Sequence, residues 1–316
     1  MRRTITALAC CLLLSYTCTA QRKLEAIYSD VALFWHAFDQ LQHAQSKEDS
    51  IRILDQEYIY KGSAGVQQFL QGRISSGKYL QKTISQHPNY YTYLRSHTTK
   101  LNKILPRLDK HYKRLKKLYP DTDIPKVYFV IGALNSAGTI QQDPIVGVDM
   151  FGYYPETPKQ ELSPWLKSVL RPIEEIDVVV MHELVHMLQK GNEDTENTLL
   201  KKSIGEGAAD FVGELVTNSN INKHIHDYGN AHERELWHEF KRQMHDTDIS
   251  NWLYNGLTSK NRPGDLGYYV GYKICEAYYQ SSKNKKQAIK EILNISDYDV
   301  FLARSGYELK LGQASR

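Results

Sequence analysis

The feature that most constrains this chain is the stretch 178–190, VVVMHELVHMLQK, an apolar helical segment that carries two histidines and a glutamate. Burying ionisable side chains is costly unless they are paired or bound to a metal ion. Two interpretations are open. Either the histidines are core residues with ordinary hydrogen-bond partners, or the helix holds a metal ion. In both cases the fold must bring partner side chains to this helix.

Three residues of the stretch, His182, Glu183 and His186, form the pattern H-E-x-x-H. Side chains four residues apart lie above one another on a helix, about 6 Å along its axis, so both imidazoles can converge on one ion. Zinc accepts neutral imidazole nitrogen, and catalytic zinc sites combine three protein ligands with a water molecule. Glu183 can take the proton of that water as a general base. The spacing therefore predicts one Zn²⁺ ion.

A third ligand is available in the segment 201–215, KKSIGEGAADFVGEL. Glu206 and Asp210 are four residues apart and share one helix face. A carboxylate at 206 can complete the ligand set, and Asp210 can accept the second ring proton of a ligating histidine and fix its tautomer. The neighbouring Gly205 and Gly207 predict a slim helix that approaches the histidine helix closely. The alternative, a solvent-exposed acidic face, fits these small apolar neighbours less well.

The motif His182-Glu183-x-x-His186, followed by Glu206 and Asp210, resembles the gluzincin metallopeptidases of the thermolysin-like type. EGAAD within it is closer to a bacterial group described as predicted zinc-dependent proteases, which is related to the gliding-motility-type lipoproteins. Further stretches that share the resemblance span most of the chain: YIYKGSAGVQQFLQGRI (58–74), IVGVDMFG (145–152), GYYVGY (267–272) and DYDVFLARSGY (297–307). Only the zinc motif is specific.

The resemblance implies a zincin-like α+β fold that is mostly helical, with a small mixed β-sheet and an H-E-x-x-H active-site helix. It also implies that His182, His186 and Glu206 are the zinc ligands and that Glu183 is the catalytic base.

Such an enzyme also needs a group that stabilises the oxyanion. Gluzincins supply a tyrosine or histidine from downstream, and Tyr268 is the first candidate here, with Tyr272 and Tyr269 as alternatives. In zincins, a strand at the sheet edge beside the zinc helix binds the substrate backbone. The resemblance places the segment 145–150 there.

The first 20 residues, MRRTITALACCLLLSYTCTA, have the basic, apolar and small-residue order of a secretory signal peptide. We expect cleavage after about Ala20 and export to the periplasm or the extracellular space. A lipid anchor at Cys18 is the alternative, although the two residues before it are unusual for a lipidated cysteine. Without residues 1–20, Cys275 remains as the only cysteine, so no internal disulfide can form. Its apolar helical surroundings predict a core position.

The rest of the chain is predicted to be a single domain, 21–316, with a helical front at 21–120, a small sheet at 124–152 and a helical zinc-binding and C-terminal half at 163–316. Apolar periodicity and capping signals indicate the elements. Helices are expected at about 24–44, 64–72, 77–86, from Pro88 as one long helix, 164–170, 172–190, 195–217, 222–244 and in pieces to about 305. Strands are expected at 124–132 and 145–150.

The formal charge of +4 is small for 316 residues, so composition does not indicate a nucleic-acid partner. No stretch approaches the roughly 20 apolar residues of a transmembrane helix. The sequence predicts an exported zinc metallopeptidase that acts on a peptide or protein substrate. The alternative is a catalytically inactive zinc-binding envelope protein that acts as a binding or assembly factor, because a fold alone does not confer activity. The intact Glu183 favours the enzyme.

Overall fold

The structure of the protein is a computed structural model that describes residues 23–123, 126–191, 196–256 and 258–313. The predicted signal peptide, Cys18 and the first two residues of the predicted strand 124–132 lie outside these ranges. The described residues are mostly helical and include a small mixed sheet, which confirms the predicted α+β class at this level. Among them, no helix combines the length and the apolar character needed to cross a membrane.

The helices occupy the front and the C-terminal half of the described chain. They are α1 (Ser29–Gln40), α2 (Lys47–Leu54), α3 (Ala64–Phe69), α4 (Gly77–Gln86), α5 (Pro88–Thr98), α6 (Leu101–Leu118), α7 (Pro164–Val169), α8 (Ile176–Leu188), α9 (Leu199–Thr217), α10 (Lys223–Ala231), α11 (Glu233–Gln243), α12 (Leu266–Ser281), α13 (Lys285–Leu293), α14 (Tyr298–Ser305) and α15 (Tyr307–Gln313). Helices α2 and α3 each continue into a π-helical turn, Asp55–Ile59 and Leu70–Ile74.

The sheet contains β1 (Glu25–Ile27), β2 (Lys126–Val130), β3 (Gly138–Ile140) and β4 (Pro144–Gly147) in the spatial order β1-β2-β4-β3. The pairs β1–β2 and β2–β4 are parallel, whereas β3 and β4 are antiparallel. Strand β4 is fully buried. Strand β3 lies at the edge of the sheet and packs against α8. The histidine helix therefore has a sheet edge directly beside it.

The N-terminal half differs from the prediction in three places. Residues 24–44 are not one helix, because Glu25–Ile27 form β1, which pairs with β2. The segment then continues as α1 and a 3₁₀ turn at Leu41–His43. Helix α2 was not predicted. The long helix expected from Pro88 is two helices, α5 and α6, separated at Thr99 and Lys100. Long-range strand pairing overrides local periodicity in the first case.

The sheet also differs at the predicted substrate strand. The segment 145–150 is not an edge strand, because β4 ends at Gly147, continues as a 3₁₀ turn and lies between β2 and β3. The edge beside α8 is formed by β3, in a segment where no strand was predicted. A strand of three residues, Gly-Thr-Ile, has too little alternation to be recognised from sequence.

Other boundaries agree with the prediction. Ser163 caps α7 by accepting a hydrogen bond from the Leu166 amide at 3.2 Å, and Pro164 is the first helical residue. The predicted helix 172–190 contains α8, preceded by a 3₁₀ turn. The predicted helix 222–244, in contrast, is not one helix but two, α10 and α11, separated at His232.

Helices α9 and α12 pack backbone against backbone. A Cβ atom added to Gly207 would lie 2.0 Å from the Tyr272 amide nitrogen, and one added to Gly271 would lie 1.7 Å from the Ser203 carbonyl oxygen. The glycine at 207 therefore serves the contact with α12, not the contact with α8 that the sequence predicted. Gly213 faces α8 instead, at 3.7 Å from the His182 amide nitrogen.

This packing predicts that Gly271→Ala destabilises the protein by about 2–3 kcal/mol, because the added methyl group must push two helix backbones apart. Gly205→Ala is the matched control, since nothing lies within 4 Å of its added Cβ. Removing a glycine from a helix interior should stabilise the control by roughly 0.5–1 kcal/mol. Urea unfolding in the presence of a chelator measures both. Equal stability of the two variants would contradict the close packing.

Candidate metal site

The histidine helix α8 is fixed at its N-terminus by a buried carboxylate. Asp177 accepts a hydrogen bond from Arg107 Nη2 at 2.9 Å and faces His111 Nε2 at 3.1 Å, both on α6. His111 Nδ1 lies 3.2 Å from the Val216 carbonyl oxygen of α9. This contact set joins α6, α8 and α9. Arg107 of α6 therefore holds the helix that carries the site.

Three predicted ligands converge between α8 and α9. The Nε2 atoms of His182 and His186 lie 3.0 Å apart, and Glu206 Oε2 lies 3.1 Å from His186 Nε2 and 3.5 Å from His182 Nε2. One ligand atom from each residue falls within 4.8 Å of the others. The i, i+4 spacing on α8 aligns the two imidazoles, and the crossing of α9 brings in the carboxylate.

The hydrogen bonds behind the histidines determine which ring nitrogen faces the cluster. Asp210 Oδ1 accepts from His182 Nδ1 at 2.7 Å, because a carboxylate can only accept. Gln189 Nε2 donates to the Gly205 carbonyl oxygen at 2.6 Å, which leaves its Oε1 to accept from His186 Nδ1 at 2.9 Å. Both Nε2 atoms then present lone pairs to each other.

Two imidazole lone pairs and a carboxylate oxygen at about hydrogen-bond distance repel one another unless a cation lies among them. A proton or a metal ion can supply that charge. The donor set, two neutral imidazole nitrogens and one carboxylate oxygen with hydrogen-bonded outer partners, is the set that zinc uses in open sites. The chemistry of the residues therefore fits a zinc ion.

The pKa values of the three residues also indicate that a positive charge is favourable within the cluster. Burial alone would lower the pKa of His182, but the hydrogen bonds with Asp210 and Glu206 hold it well above the ordinary value. The pKa of His186 is also raised, since the hydrogen bond with Glu206 outweighs burial. Burial opposes ionisation of Glu206, yet its two histidine partners hold its pKa well below the usual range. Without a metal ion, the cluster therefore favours protonation of its histidines.

Glu183 lies against the sheet edge, beside Gly138 of β3. A Cβ atom added to Gly138 of β3 would lie 2.5 Å from Glu183 Oε1, so a glycine is needed there to leave room for the carboxylate. Burial raises the pKa of Glu183, while the neighbouring His182 and His186 lower it. Within the described residues this carboxylate accepts no hydrogen bond, which leaves it available to a ligand in the cleft.

The three candidate tyrosines on α12 are in different surroundings. The ring of Tyr268 stacks against His182 at 6.2 Å between centroids and lines the same cleft as Glu183. Tyr269 and Tyr272 are buried, and their hydroxyls contact Asn230 at 3.1 Å and Glu214 at 2.9 Å. The structure thus brings Tyr268 to the site and engages the other two hydroxyls elsewhere.

Three residues of the site were not predicted. Gln189 orients His186 from the next turn of the chain, a spacing of i+3 that sequence inspection can find. Asn222 Nδ2 donates to Asp210 Oδ2 at 2.7 Å. Tyr254 donates from its hydroxyl to Glu206 Oε1 at 2.6 Å across 48 residues of sequence. Nothing local marks the last two as site residues.

Two clefts adjoin the cluster. One, of about 710 Å³, is bordered by His186, Glu206 and Tyr254. The other, of about 470 Å³, is bordered by His182, Glu183, Tyr268 and the start of β3. Both volumes lie in the range of ligand sites, about 300–1,000 Å³. The cluster is thus reachable from two sides.

Comparison with protein families gives a match along nearly the whole chain. The family described as "Gliding motility protein GldB", a lipoprotein family, matches residues 18–309. The predicted resemblance to gliding-motility-type lipoproteins is confirmed, whereas this match does not show a peptidase family. Comparison with curated proteins returned no match, and neither did comparison with solved structures.

Proposed function

The chain belongs to the GldB family of gliding motility lipoproteins, and we propose that it is an exported, envelope-associated protein whose buried cluster holds zinc and hydrolyses peptide bonds. The single observation that carries the zinc proposal is the convergence of two imidazole nitrogens and one carboxylate oxygen within 4.8 Å. Family membership supports the envelope location. It also favours the lipid anchor at Cys18, the alternative of the sequence analysis, because the match begins at that residue.

Zinc would be held by His182, His186 and Glu206, and when bound it would lower the pKa of water and polarise a carbonyl group. Asp210 and Gln189 hold the two imidazoles in the tautomer that leaves Nε2 free. The residue set agrees with that of the gluzincin resemblance.

Glu183 supplies the base. Its carboxylate lies between the ligand cluster and β3, accepts no hydrogen bond from the described residues, and has a raised pKa that favours proton uptake from water. To Tyr268, which lines the same cleft and whose ring stacks against His182, we assign donation to a developing oxyanion. These roles make a hydrolytic site chemically complete.

The substrate class follows from the sheet edge. Strand β3 pairs with β4 on one side, and its start borders the cleft that contains Glu183. An edge strand can pair with an extended peptide backbone. The second cleft, beyond His186 and Glu206, leaves room for the chain to continue past the cluster. An extended peptide is therefore the substrate that we propose.

A second candidate function is an envelope binding or assembly factor that holds zinc without hydrolysis. Family membership favours it, since the match is to a gliding motility family and not to a peptidase. The two functions make different demands on Glu183, which only the peptidase requires.

Zinc binding is the first prediction. The full-length protein in detergent should bind one zinc ion, and affinity should rise as pH increases from about 6 to 8, because the raised histidine pKa values make protons compete with the metal. His182→Ala should weaken binding by more than about 100-fold, since it removes a ligand. Competition with a chromophoric chelator measures both. The exposed His238→Ala is the control and should bind like the wild type; a pH-independent affinity contradicts the ligand assignment.

Hydrolysis is the second prediction. The zinc-loaded full-length protein should cleave members of a mixed peptide library, and Glu183→Gln should reduce the rate by about 10²–10⁴-fold because it removes the base. Mass spectrometry of the products gives rates and cut sites.

Retention of one zinc per Glu183→Gln chain controls for loss of the site. Absence of cleavage by the zinc-loaded wild type would reject the peptidase. In that case, strains of a bacterium that encodes the protein can be compared for surface motility and envelope integrity. The strain with Glu183→Gln should behave like the wild type, and the strain with His182→Ala should lose these properties. That pattern would support the assembly factor.

Membrane attachment is the third prediction. If Cys18 carries the lipid, Cys18→Ser should move the protein from the membrane fraction to the soluble fraction of a cell lysate, because the lipid supplies the anchoring energy. Metabolic labelling with a fatty acid should mark the wild type but not the Cys18→Ser protein. Cys11→Ser, within the apolar run of the predicted signal peptide, is the control and should be labelled like the wild type. Labelling of the Cys18→Ser protein would rule out this anchor.

A further inference from the structure

The two oxygens of Glu206 have different partners. Oε2 faces the ligand cluster, 3.1 Å from His186 Nε2 and 3.5 Å from His182 Nε2. Oε1 accepts a hydrogen bond of 2.6 Å from the Tyr254 hydroxyl. A carboxylate can bind a metal through one oxygen or through both, so a strong donor on one oxygen determines which form is available.

To make this contact, Tyr254 adopts an unfavourable backbone conformation. Its φ of 57° is in the left-handed region, which bulky side chains rarely adopt, and its side chain is 62% exposed. Burial of the phenol ring therefore does not explain the conformation. Non-glycine residues in this region are enriched at functional sites, where the surrounding structure forces them.

The residues on both sides of Tyr254 hold it in the left-handed conformation. Trp252 and Leu253 are buried just before Tyr254. Just after it, the Asn255 amide donates to Asp265 Oδ1 at 3.1 Å, and the Asp265 amide donates to Asn255 Oδ1 at 2.7 Å. This reciprocal pair closes the loop behind Tyr254. The exposed ring is thus directed to Glu206 by a loop anchored on both sides.

We propose that Tyr254 is a positioning residue that binds Glu206 Oε1 and so restricts Glu206 to a metal ligand through Oε2 alone. Tyr254 acts through Glu206 and leaves the remaining face of the cluster open to water or substrate. Its ring also meets Tyr268 edge to face at 6.5 Å between centroids, so the same loop contacts both walls of the site. The inference rests on the proposed zinc site and adds how that site is kept open.

The test uses the full-length protein in detergent, stripped of metal and reloaded with zinc or cobalt(II). Tyr254→Phe keeps the ring but removes the donor, which frees Oε1 to bind the metal. We expect zinc affinity to fall by about 10–100-fold, as for other outer-shell partners. We also expect the visible absorption of the cobalt(II) form to decrease in intensity, as it does when the coordination number increases.

Tyr298→Phe is the matched control, because Tyr298 borders the same cleft and makes no hydrogen bond to Glu206. It should retain wild-type affinity and spectrum. Tyr254→Asn is a second variant; asparagine tolerates the left-handed backbone, so it should fold while losing the contact. Wild-type affinity and spectrum in Tyr254→Phe would overturn the positioning role and leave the zinc site intact. Failure of the wild type to bind either metal would instead reject the proposed zinc site, and this inference with it.

Discussion

The rest of the site depends on the hydrogen bond between His182 Nδ1 and Asp210 Oδ1, 2.7 Å long and fully enclosed between α8 and α9. It joins the two helices that carry the candidate metal ligands, and it fixes the tautomer that turns His182 Nε2 toward Glu206. Asp210 in turn is held by Asn222. A buried carboxylate without such partners would be strongly unfavourable, so the pair stabilises the helix crossing and prepares the donor set together.

The ligand geometry was the most predictable part of the molecule. H-E-x-x-H places two imidazoles on one helix face whatever the rest of the chain does, because helical periodicity is local. Glu206 and Asp210 repeat the same spacing on the next helix, which is why both could be predicted to face the histidines. The sequence misassigned the packing of Gly207, however. Helix periodicity shows that small residues occupy a face, but not which neighbouring helix will meet it, and here it is α12.

The sheet edge and the Tyr254 contact could not be predicted, for a common physical reason. Strands β1 and β3 have three residues each, and their stability comes from pairing with residues distant in sequence. Tyr254 reaches Glu206 through a loop whose shape depends on Asn255 and Asp265. Local sequence propensity contains no information about contacts between residues that are distant in sequence. Predicting 145–150 as the edge failed because a buried strand and an edge strand differ in neighbours, not in composition.

Glu183 is the residue that distinguishes the two interpretations of the proposed zinc site, structural and hydrolytic. A purely structural site would gain stability from an apolar residue at that position, since a desolvated carboxylate without a hydrogen-bond donor is destabilising. The chain instead keeps a glutamate there and leaves room for it with a glycine at 138. Natural proteins retain such unfavourable groups mainly where function requires them. The family match gives the envelope as the setting, and this carboxylate is the strongest reason within the molecule to expect chemistry there.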